Sequence, residues 1–149
     1  MKESIMRLRA LEKQLFAYRY ALNAIDFDAE TVAPEGSAEG RAEACEVLSR
    51  ASFDLLVNDD TAALLQQAAA DAEDEQQAAE VRELQREYDR TAKIPAAEYA
   101  AFTKLVQQSI PVWTKAKRTN DFSLFAPYLE KIVEASRAQA RYFAPDRDP

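Results

Sequence analysis

Apolar residues recur every three or four positions along the first part of the chain, which is the spacing of one face of an α-helix. The series comprises Ile5, Leu8, Leu11, Leu15, Tyr18, Leu22 and Ile25. Phe16 and Tyr20 lie beside this stripe and widen it beyond the narrow seam of a coiled coil. The pattern therefore predicts a long first helix that contacts two neighbouring helices.

The same spacing returns downstream, in segments separated by residues that end or start helices. A turn is expected at residues 33–37, where Ser37 can accept a backbone N–H of the next helix. That second helix is expected to run to about Val57, with one side formed by Cys45, Leu48, Ser52 and Leu55.

Asn58 is predicted to cap a short third helix. A proline at position 95 is predicted to end the fourth helix, because the residue before a proline avoids helical geometry. Asn120 and Asp121 then separate two further helices. Residues 68–79 contain no large apolar side chain, so poor packing and poor order are expected there.

Composition agrees with a fold made only of helices. The 149 residues include only 2 glycines, and no alternation of period two is long enough for a strand. We predict an all-α fold in which residues 1–149 form one domain, a helical bundle of five or six antiparallel helices in extended hairpins. Aromatic residues at helical spacing are predicted to lie in its core, among them Phe102, Trp113, Phe125 and Tyr128.

Charge and cysteine content restrict the partners and the compartment. The net charge of −7 repels nucleic acids and anionic membrane surfaces, and no apolar run is long enough for a signal peptide or a membrane span. A single cysteine, Cys45, allows no internal disulfide, so a cytoplasmic location is expected. Without a histidine to activate it, Cys45 is interpreted as a small buried apolar residue.

The absence of histidine is the strongest statement about chemistry. Zinc sites in proteins depend chiefly on imidazole nitrogen and thiolate sulfur, and this sequence has no histidine and one cysteine. The acidic run that starts at Asp26 does not form a calcium loop, because Thr31 stands where glycine is required and Ser37 where the bidentate glutamate is required. We therefore predict no catalytic, cofactor-binding or metal-binding residue in this chain.

Three stretches nevertheless resemble the amino-terminal signature of the carboxypeptidase Taq family. The family's usual form is Trp-Asp-x-Glu-Thr, then a Pro-Gly turn, then Arg-Ala-Glu. Here Phe27 replaces the usual tryptophan and Glu35 separates the proline from the glycine, whereas further agreement follows at residues 88–95 and 113–130. The signature positions, whose role is not known, are Asp28, Glu30, Thr31, Pro34, Gly36, Arg41 and Trp113.

This resemblance implies a cytosolic, largely helical and commonly dimeric zinc-type metallocarboxypeptidase that removes C-terminal residues from peptides. In that family an H-E-x-x-H helix and a later glutamate hold the metal, zinc or another divalent ion, and both lie downstream of the segment matched here. The chain is then expected to be the lid or scaffold portion of a larger peptidase, inactive alone. Its expected partners are the catalytic portion of the same polypeptide, a peptide substrate and a second copy.

Two alternatives stay open. The chain also fits a non-catalytic helical module that binds partner proteins through its apolar stripes. Asp28, Glu30 and Thr31 either cap helix ends and pair with arginines, which we favour because short polar clusters at helix ends often satisfy backbone groups, or face a substrate cleft.

Overall fold

The computed structural model describes residues 2–146, apart from the side chain of Glu35. Within that range the chain forms six α-helices and no strand, which confirms the predicted all-α fold. The helices are α1 Glu3–Thr31, α2 Ala38–Leu56, α3 Asp59–Asp71, α4 Glu75–Thr91, α5 Ala96–Thr119 and α6 Ala126–Phe143. Two short 3-10 turns, Glu35–Ser37 and Phe122–Leu124, precede α2 and α6.

The main core lies where the first half of α1 packs against α3 and α4. Four residues of the predicted stripe are buried there, in contact with apolar side chains at the end of α2 and along α3 and α4. These core residues are Ile5, Leu8, Leu11, Leu15, Leu56, Leu64, Leu65, Ala68, Val81 and Leu84. Helix α5 lies along α2. Helix α1 contacts α2 as well as α3 and α4, so it connects the α2–α5 pair to the main core.

Phe16 and Tyr20 do not extend the buried stripe as predicted. Both side chains are exposed, and their rings contact each other with 6.3 Å between centroids. Helix α1 does contact more than one neighbour, but through the leucine stripe. Phe16 follows the buried Leu15 by one position, and Tyr20 lies between Tyr18 and Leu22, so both rings lie beside the stripe rather than on it.

The buried side of α2 is rotated relative to the prediction. Cys45 is buried as expected, but the other buried residues are Ala42, Ser49, Phe53 and Leu56, whereas Leu48, Ser52 and Leu55 are half-buried. Ala42, Cys45 and Ser49 are small, and small side chains let two helix backbones approach closely. The side of α2 that is buried is thus set by close approach between helices rather than by the spacing of its large apolar residues.

The prediction of poor order in residues 68–79 was wrong. Ala68 is fully buried in the main core, and α3 continues to Asp71, whose carboxylate accepts hydrogen bonds from Ser4 Oγ at 2.7 Å and Lys2 Nζ at 3.0 Å. These two hydrogen bonds lower the pKa of Asp71, and the bond from Ser4 has the larger effect. Asp74 then caps α4 by accepting the Gln77 N–H at 2.8 Å. Small and acidic residues are used here for close packing and for capping.

The predicted helix ends are mostly confirmed. Asn58 caps α3 through its side-chain oxygen, which accepts the Thr61 N–H at 2.8 Å. Asn120 ends α5 in the left-handed region at φ 51°, which asparagine tolerates better than most residues. Ser37 is the exception, because its side chain makes no cap to α2; its hydroxyl instead donates to the Pro34 carbonyl at 2.7 Å.

The aromatic residues of the carboxyl-terminal half are not in the core, contrary to the prediction. Phe102, Phe125 and Tyr128 are half-buried and Trp113 is 45% exposed. Helix α6 has no fully buried residue, and α5 buries completely only the small residues Ala100, Ser109 and Ala116. The reason is that no further layer of described residues covers α5 and α6.

Ion pairs connect α1 to α4 beside the core. Arg9 binds the carboxylate of Glu80 through two nitrogens, at 2.8 and 3.1 Å, and Arg19 lies 3.3 Å from Glu87. The hydrogen bond from Arg9 is the main reason why the pKa of Glu80 is lowered. Other pairs, such as Arg86 with Glu83, lie at the exposed surface of one helix.

Replacing a fully buried core leucine should destabilise the fold strongly. We expect Leu65→Ala to lower the free energy of unfolding by about 2–5 kcal/mol, because it leaves a cavity between α1 and α3. The matched control is Leu129→Ala on α6, where the side chain is 38% exposed and the change should be within about 0.5 kcal/mol. Urea titration followed by circular dichroism measures both, and equal losses would contradict this description of the core.

The Arg9–Glu80 pair should contribute to the acid sensitivity of the fold. Since the pKa of Glu80 is below 4.5 in the folded state, its contribution to stability is present above that pH and is lost as the pH falls through the folded value. We expect Glu80→Gln to lower stability at pH 7 and to reduce the decline between neutral pH and pH 3. Urea midpoints measured across that range test it.

Glu83→Gln provides the control, since it removes a contact confined to the exposed side of α4. Its urea midpoint at pH 7 should stay close to that of the unaltered chain. A Glu80→Gln chain with an unchanged pH profile would show that the α1–α4 pair adds nothing to folding.

Candidate functional site

A groove of about 500 Å³ lies where the end of α1, the start of α2 and the middle of α5 meet. Helix α1 contributes Glu30 to its lining, α2 contributes Arg41, and α5 contributes Gln107 and Lys115. Its apolar part is formed by alanines of α1 and α2 together with Ile110, Pro111, Val112 and Leu124. Two of the signature residues, Glu30 and Arg41, are thus brought to one place although they lie on different helices.

Arg41 is held in position by the turn that precedes its helix. Its guanidinium donates to the carbonyl of Pro34 at 3.4 Å and to the hydroxyl of Ser37. The backbone N–H of Ser37 also donates to the Pro34 carbonyl, at 3.0 Å, so the turn is closed from two sides. Arg41 therefore fixes the α1–α2 turn and places a positive charge at the edge of the groove.

The end of α1 is stabilised locally. The hydroxyl of Thr31 donates to the Phe27 carbonyl at 2.6 Å, and the N–H groups of Val32 and Ala33 both donate to the Asp28 carbonyl, at 3.1 and 2.9 Å. The side chain of Asp28 is exposed at the surface. Asp28 thus contributes to the helix end through its backbone carbonyl and Thr31 through its hydroxyl, whereas Glu30 is the residue of this cluster that lines the groove.

Gly36 and Trp113 lie outside the groove lining. A Cβ added at Gly36 would meet no atom within 4 Å, and its φ is not positive, so the described backbone does not require glycine there. The Trp113 ring lies at the surface under the ammonium group of Lys117, 5.0 Å from the ring centre. The structure thus separates Trp113 from the other signature residues that face the groove.

Sequence analysis missed one contact that fixes the geometry of this region. The side-chain amide of Gln107 donates to Asp26 at 2.6 Å, which links α5 to the second half of α1 beside the groove. The two residues are 81 positions apart, so no local pattern in the sequence indicates that they meet. The groove therefore depends on contacts that only the folded chain reveals.

A proline inside α5 alters the groove wall. Pro111 has no N–H to donate to the carbonyl of Gln107 one turn earlier, yet α5 continues through it to Thr119. Pro111 and Gln107 both line the groove. The wall thus combines apolar side chains with a few charged and polar ones, a combination typical of binding pockets.

The groove contains no arrangement suited to proton transfer or to metal binding. Its cations outnumber its carboxylates, since Arg41, Lys115 and Arg118 accompany Glu30 alone. No group of three or more histidine, cysteine, aspartate or glutamate side chains within residues 2–146 is placed to hold a metal ion. Because imidazole is also missing from the whole sequence, the residues present do not fit a zinc site.

Cys45 lies on the buried side of α2 rather than at a reactive position. The side chain is fully buried and unpaired with another cysteine. Burial, reinforced by the nearby charge of Asp26, raises the pKa of the Cys45 thiol. Such a thiol is a poor nucleophile, because the thiolate is the reactive form. Among the described residues, no helix has both the length and the apolar character needed to cross a bilayer.

Comparison with known proteins gives a consistent result. The sequence profile of the carboxypeptidase Taq (M32) metallopeptidase family matches residues 7–149. Carboxypeptidase 1 of Bacillus subtilis is 33% identical over 143 residues, which is 93% of this chain and 28% of that protein. Thermostable carboxypeptidase 1 of Pyrococcus furiosus is 27% identical over 152 residues, covering 99% of this chain and 30% of that protein.

Solved structures show the same fold. The BsuCP crystal structure superposes with a TM-score of 0.91 at 30% identity, over 95% of this chain and 29% of that one. The Pyrococcus furiosus carboxypeptidase in its Apo-Mg form gives a TM-score of 0.72 at 25% identity, again over 95% of this chain and 29% of that one. The chain thus spans less than a third of the length of the relatives it matches.

The buried thiol predicts slow chemical labelling. We expect Cys45 in the folded chain to react with a maleimide far more slowly than in urea, because reaction requires local opening and a thiolate that burial disfavours. Raising the pH should accelerate labelling, since ionisation becomes easier. A chain carrying Cys45→Ala and Val47→Cys is the control, because position 47 is exposed on the same helix. Equal rates for the two thiols would contradict the burial of Cys45.

Proposed function

This chain belongs to the carboxypeptidase Taq (M32) metallopeptidase family, and from that membership we propose that it forms the helical lid or scaffold of a metallocarboxypeptidase that removes C-terminal residues from peptides. The observation that carries the proposal is a family match that runs through residues 7–149 while the chain spans less than a third of its curated relatives. The activity itself belongs to the whole protein.

The metal of such an enzyme would be held by residues outside this segment. A divalent ion, zinc or another, is consistent with a metallopeptidase family. The chain offers no imidazole, and its described carboxylates are not grouped for coordination. The donor set thus supports a division of roles in which this segment contributes shape and fixed charge, and the rest of the polypeptide contributes the metal ligands and the proton-transfer groups.

The role proposed for these helices is to position and enclose the substrate. Helix α1, with 29 residues, is about 44 Å long at the rise of an α-helix, long enough to form one wall of a deep cleft. Its far end is fixed to α2 by the Arg41 turn and to α5 by the Asp26–Gln107 contact. A rigid wall of this kind can exclude water and restrict which peptides enter.

Partners and location follow from the same proposal. The main partner is the remaining part of the same polypeptide, followed by a peptide substrate and a second copy. A cytoplasmic location is supported by the single buried thiol and the absence of disulfides among the described residues. The exposed apolar residues of α6 fit this proposal, and they also fit the second candidate, a non-catalytic helical module that binds partner proteins.

A chimera separates the two candidate functions. Residues 1–149 are joined to the part of Bacillus subtilis carboxypeptidase 1 that lies beyond its matched segment, and release of the last residue from N-blocked peptides is measured. We expect turnover that a chelator abolishes and added divalent metal restores, because the second part supplies the metal ligands and this chain supplies the wall.

The chain alone, with the same metals, should release nothing above background, and so should the Bacillus part alone. Turnover by the isolated 149 residues would contradict the proposal, because the metal site would then lie here. A chimera that folds by circular dichroism yet shows no turnover would favour the interaction module instead.

A further inference from the structure

The groove between α1, α2 and α5 differs in charge from the chain as a whole. The sequence carries 26 acidic and 19 basic residues, which gives a net charge of −7. The groove lining reverses this balance, because Arg41, Lys115 and Arg118 accompany the single carboxylate of Glu30. A site rich in cations attracts anions locally, although the molecule as a whole repels them.

Two of these cations are not paired with a carboxylate of the described residues. The hydrogen bonds of the Arg41 guanidinium go to a carbonyl and a hydroxyl of the preceding turn, and both groups are neutral. Lys115 is exposed and forms no ion pair within residues 2–146. Lys104, also on α5, contrasts with it, since its ammonium group lies 2.8 Å from Glu46 of α2. The positive charge of the groove is therefore available to a ligand.

The other part of the groove is apolar and has the size of a small-molecule site. Its volume is about 500 Å³, and Ile110, Pro111, Val112 and Leu124 line it together with three alanines of α1 and α2. Small organic molecules usually bind in sites of about 300–1,000 Å³ that are lined mainly by apolar groups and by a few polar ones. The groove thus matches such sites in volume and in lining.

The walls of the groove are held in place by contacts outside its apolar part. The Gln107 amide donates to Asp26 at 2.6 Å, which joins α5 to α1, and Arg41 closes the turn between α1 and α2. A site whose walls are already ordered loses less conformational entropy when a ligand binds. The groove is therefore formed before any ligand arrives.

A larger cavity, of about 710 Å³, lies between α1 and α4, and its charges are arranged differently. Arg19 lies 3.3 Å from Glu87, and Arg86 lies 3.0 Å from Glu83, and all four residues line this cavity. An anion that entered it would have to displace these carboxylates from their partners. The groove at α2 and α5 is thus the better site for an anion.

We infer that this groove is a binding site for a small organic anion, whose apolar body lies against Ile110, Pro111 and Val112 while its carboxylate pairs with Lys115 and Arg41. This chemistry occurs both in a free organic acid and at the carboxyl end of a short peptide. The inference goes beyond the proposed function, because it gives the groove a ligand that the 149 residues bind without the rest of the polypeptide.

Two fluorescent dyes test the inference on the chain as it is. Anilinonaphthalene sulfonate combines an apolar aromatic body with a negative group, and N-phenylnaphthylamine has the same kind of body without a charge. Titration of the chain with each dye gives an affinity. We expect the sulfonate to bind more tightly than the neutral dye, although the negative net charge of the chain favours the opposite order.

Charge substitutions then locate the bound dye. Lys115→Gln should weaken the affinity for the sulfonate about threefold, and Glu30→Gln should strengthen it by a similar factor, because the first removes an attraction and the second a repulsion. Neither change should alter the affinity for the neutral dye. Lys117→Gln and Asp28→Asn are the matched controls, since they change the net charge in the same two ways outside the groove lining.

The control variants should bind both dyes as the unaltered chain does, and circular dichroism checks that all four variants are folded. Control variants that change the affinity for the sulfonate as much as the groove variants do would overturn the inference. Loss of affinity in the Glu30→Gln chain would overturn it as well, because removal of a negative charge cannot weaken the binding of an anion in this groove.

Competition identifies the source of the ligand. Phenylbutyrate represents a free organic acid, N-acetyl-Leu-Phe represents the carboxyl end of a peptide, and the amides of both are the neutral controls. Displacement of the sulfonate by phenylbutyrate alone supports a free acid as the ligand, and displacement by the peptide supports a peptide end. If neither carboxylate displaces the dye, or if the amides displace it equally well, the site binds the dye only and the inference is wrong.

Discussion

The contact between the first half of α1 and helices α3 and α4 determines the rest of the structure. Leu8 and Leu65 are completely shielded from water there, and removing apolar area from water is the largest favourable term in folding. Because that contact uses only the first half of α1, the second half extends beyond the main core. It carries Asp26 and Glu30 to the place where α2 and α5 meet, so the groove is a consequence of where the leucine stripe is buried.

The first half of the chain buries larger side chains than the second half does. The first half hides large side chains, whereas α5 hides only alanines and a serine and α6 hides none completely. Tyr142 and Phe143 nevertheless fix α6 through a hydroxyl bond and two cations, contacts that position a helix without covering its apolar side. Helix α6 is thus held by these polar contacts together with half-buried residues such as Ile132, and it keeps exposed apolar residues such as Leu129 and Val133.

Local signals in the sequence predicted local structure well. The leucine stripe predicted α1, and Asn58, Pro95 and Asn120 mark helix ends where the chemistry of those residues places them. The predictions that were wrong concerned residues whose burial depends on contacts with distant parts of the sequence. Ala68 is buried because α3 packs against α1 in the main core, and Phe16 is exposed because no described helix covers that side of α1. The groove could not be predicted, since Asp26 and Gln107 meet only after folding, although the signature did single out Glu30 and Arg41.

The chemistry available to the groove limits what it can contribute to a peptidase. Arg41 is bonded to the Pro34 carbonyl and the Ser37 hydroxyl, so its planar guanidinium is held in a fixed orientation beside the groove. Glu30 is the one carboxylate in the groove lining, where it accompanies three cations. In the proposed function, these fixed charges and the apolar wall beside them would hold a chain segment. The groups that cleave the peptide bond would then come from the rest of the polypeptide.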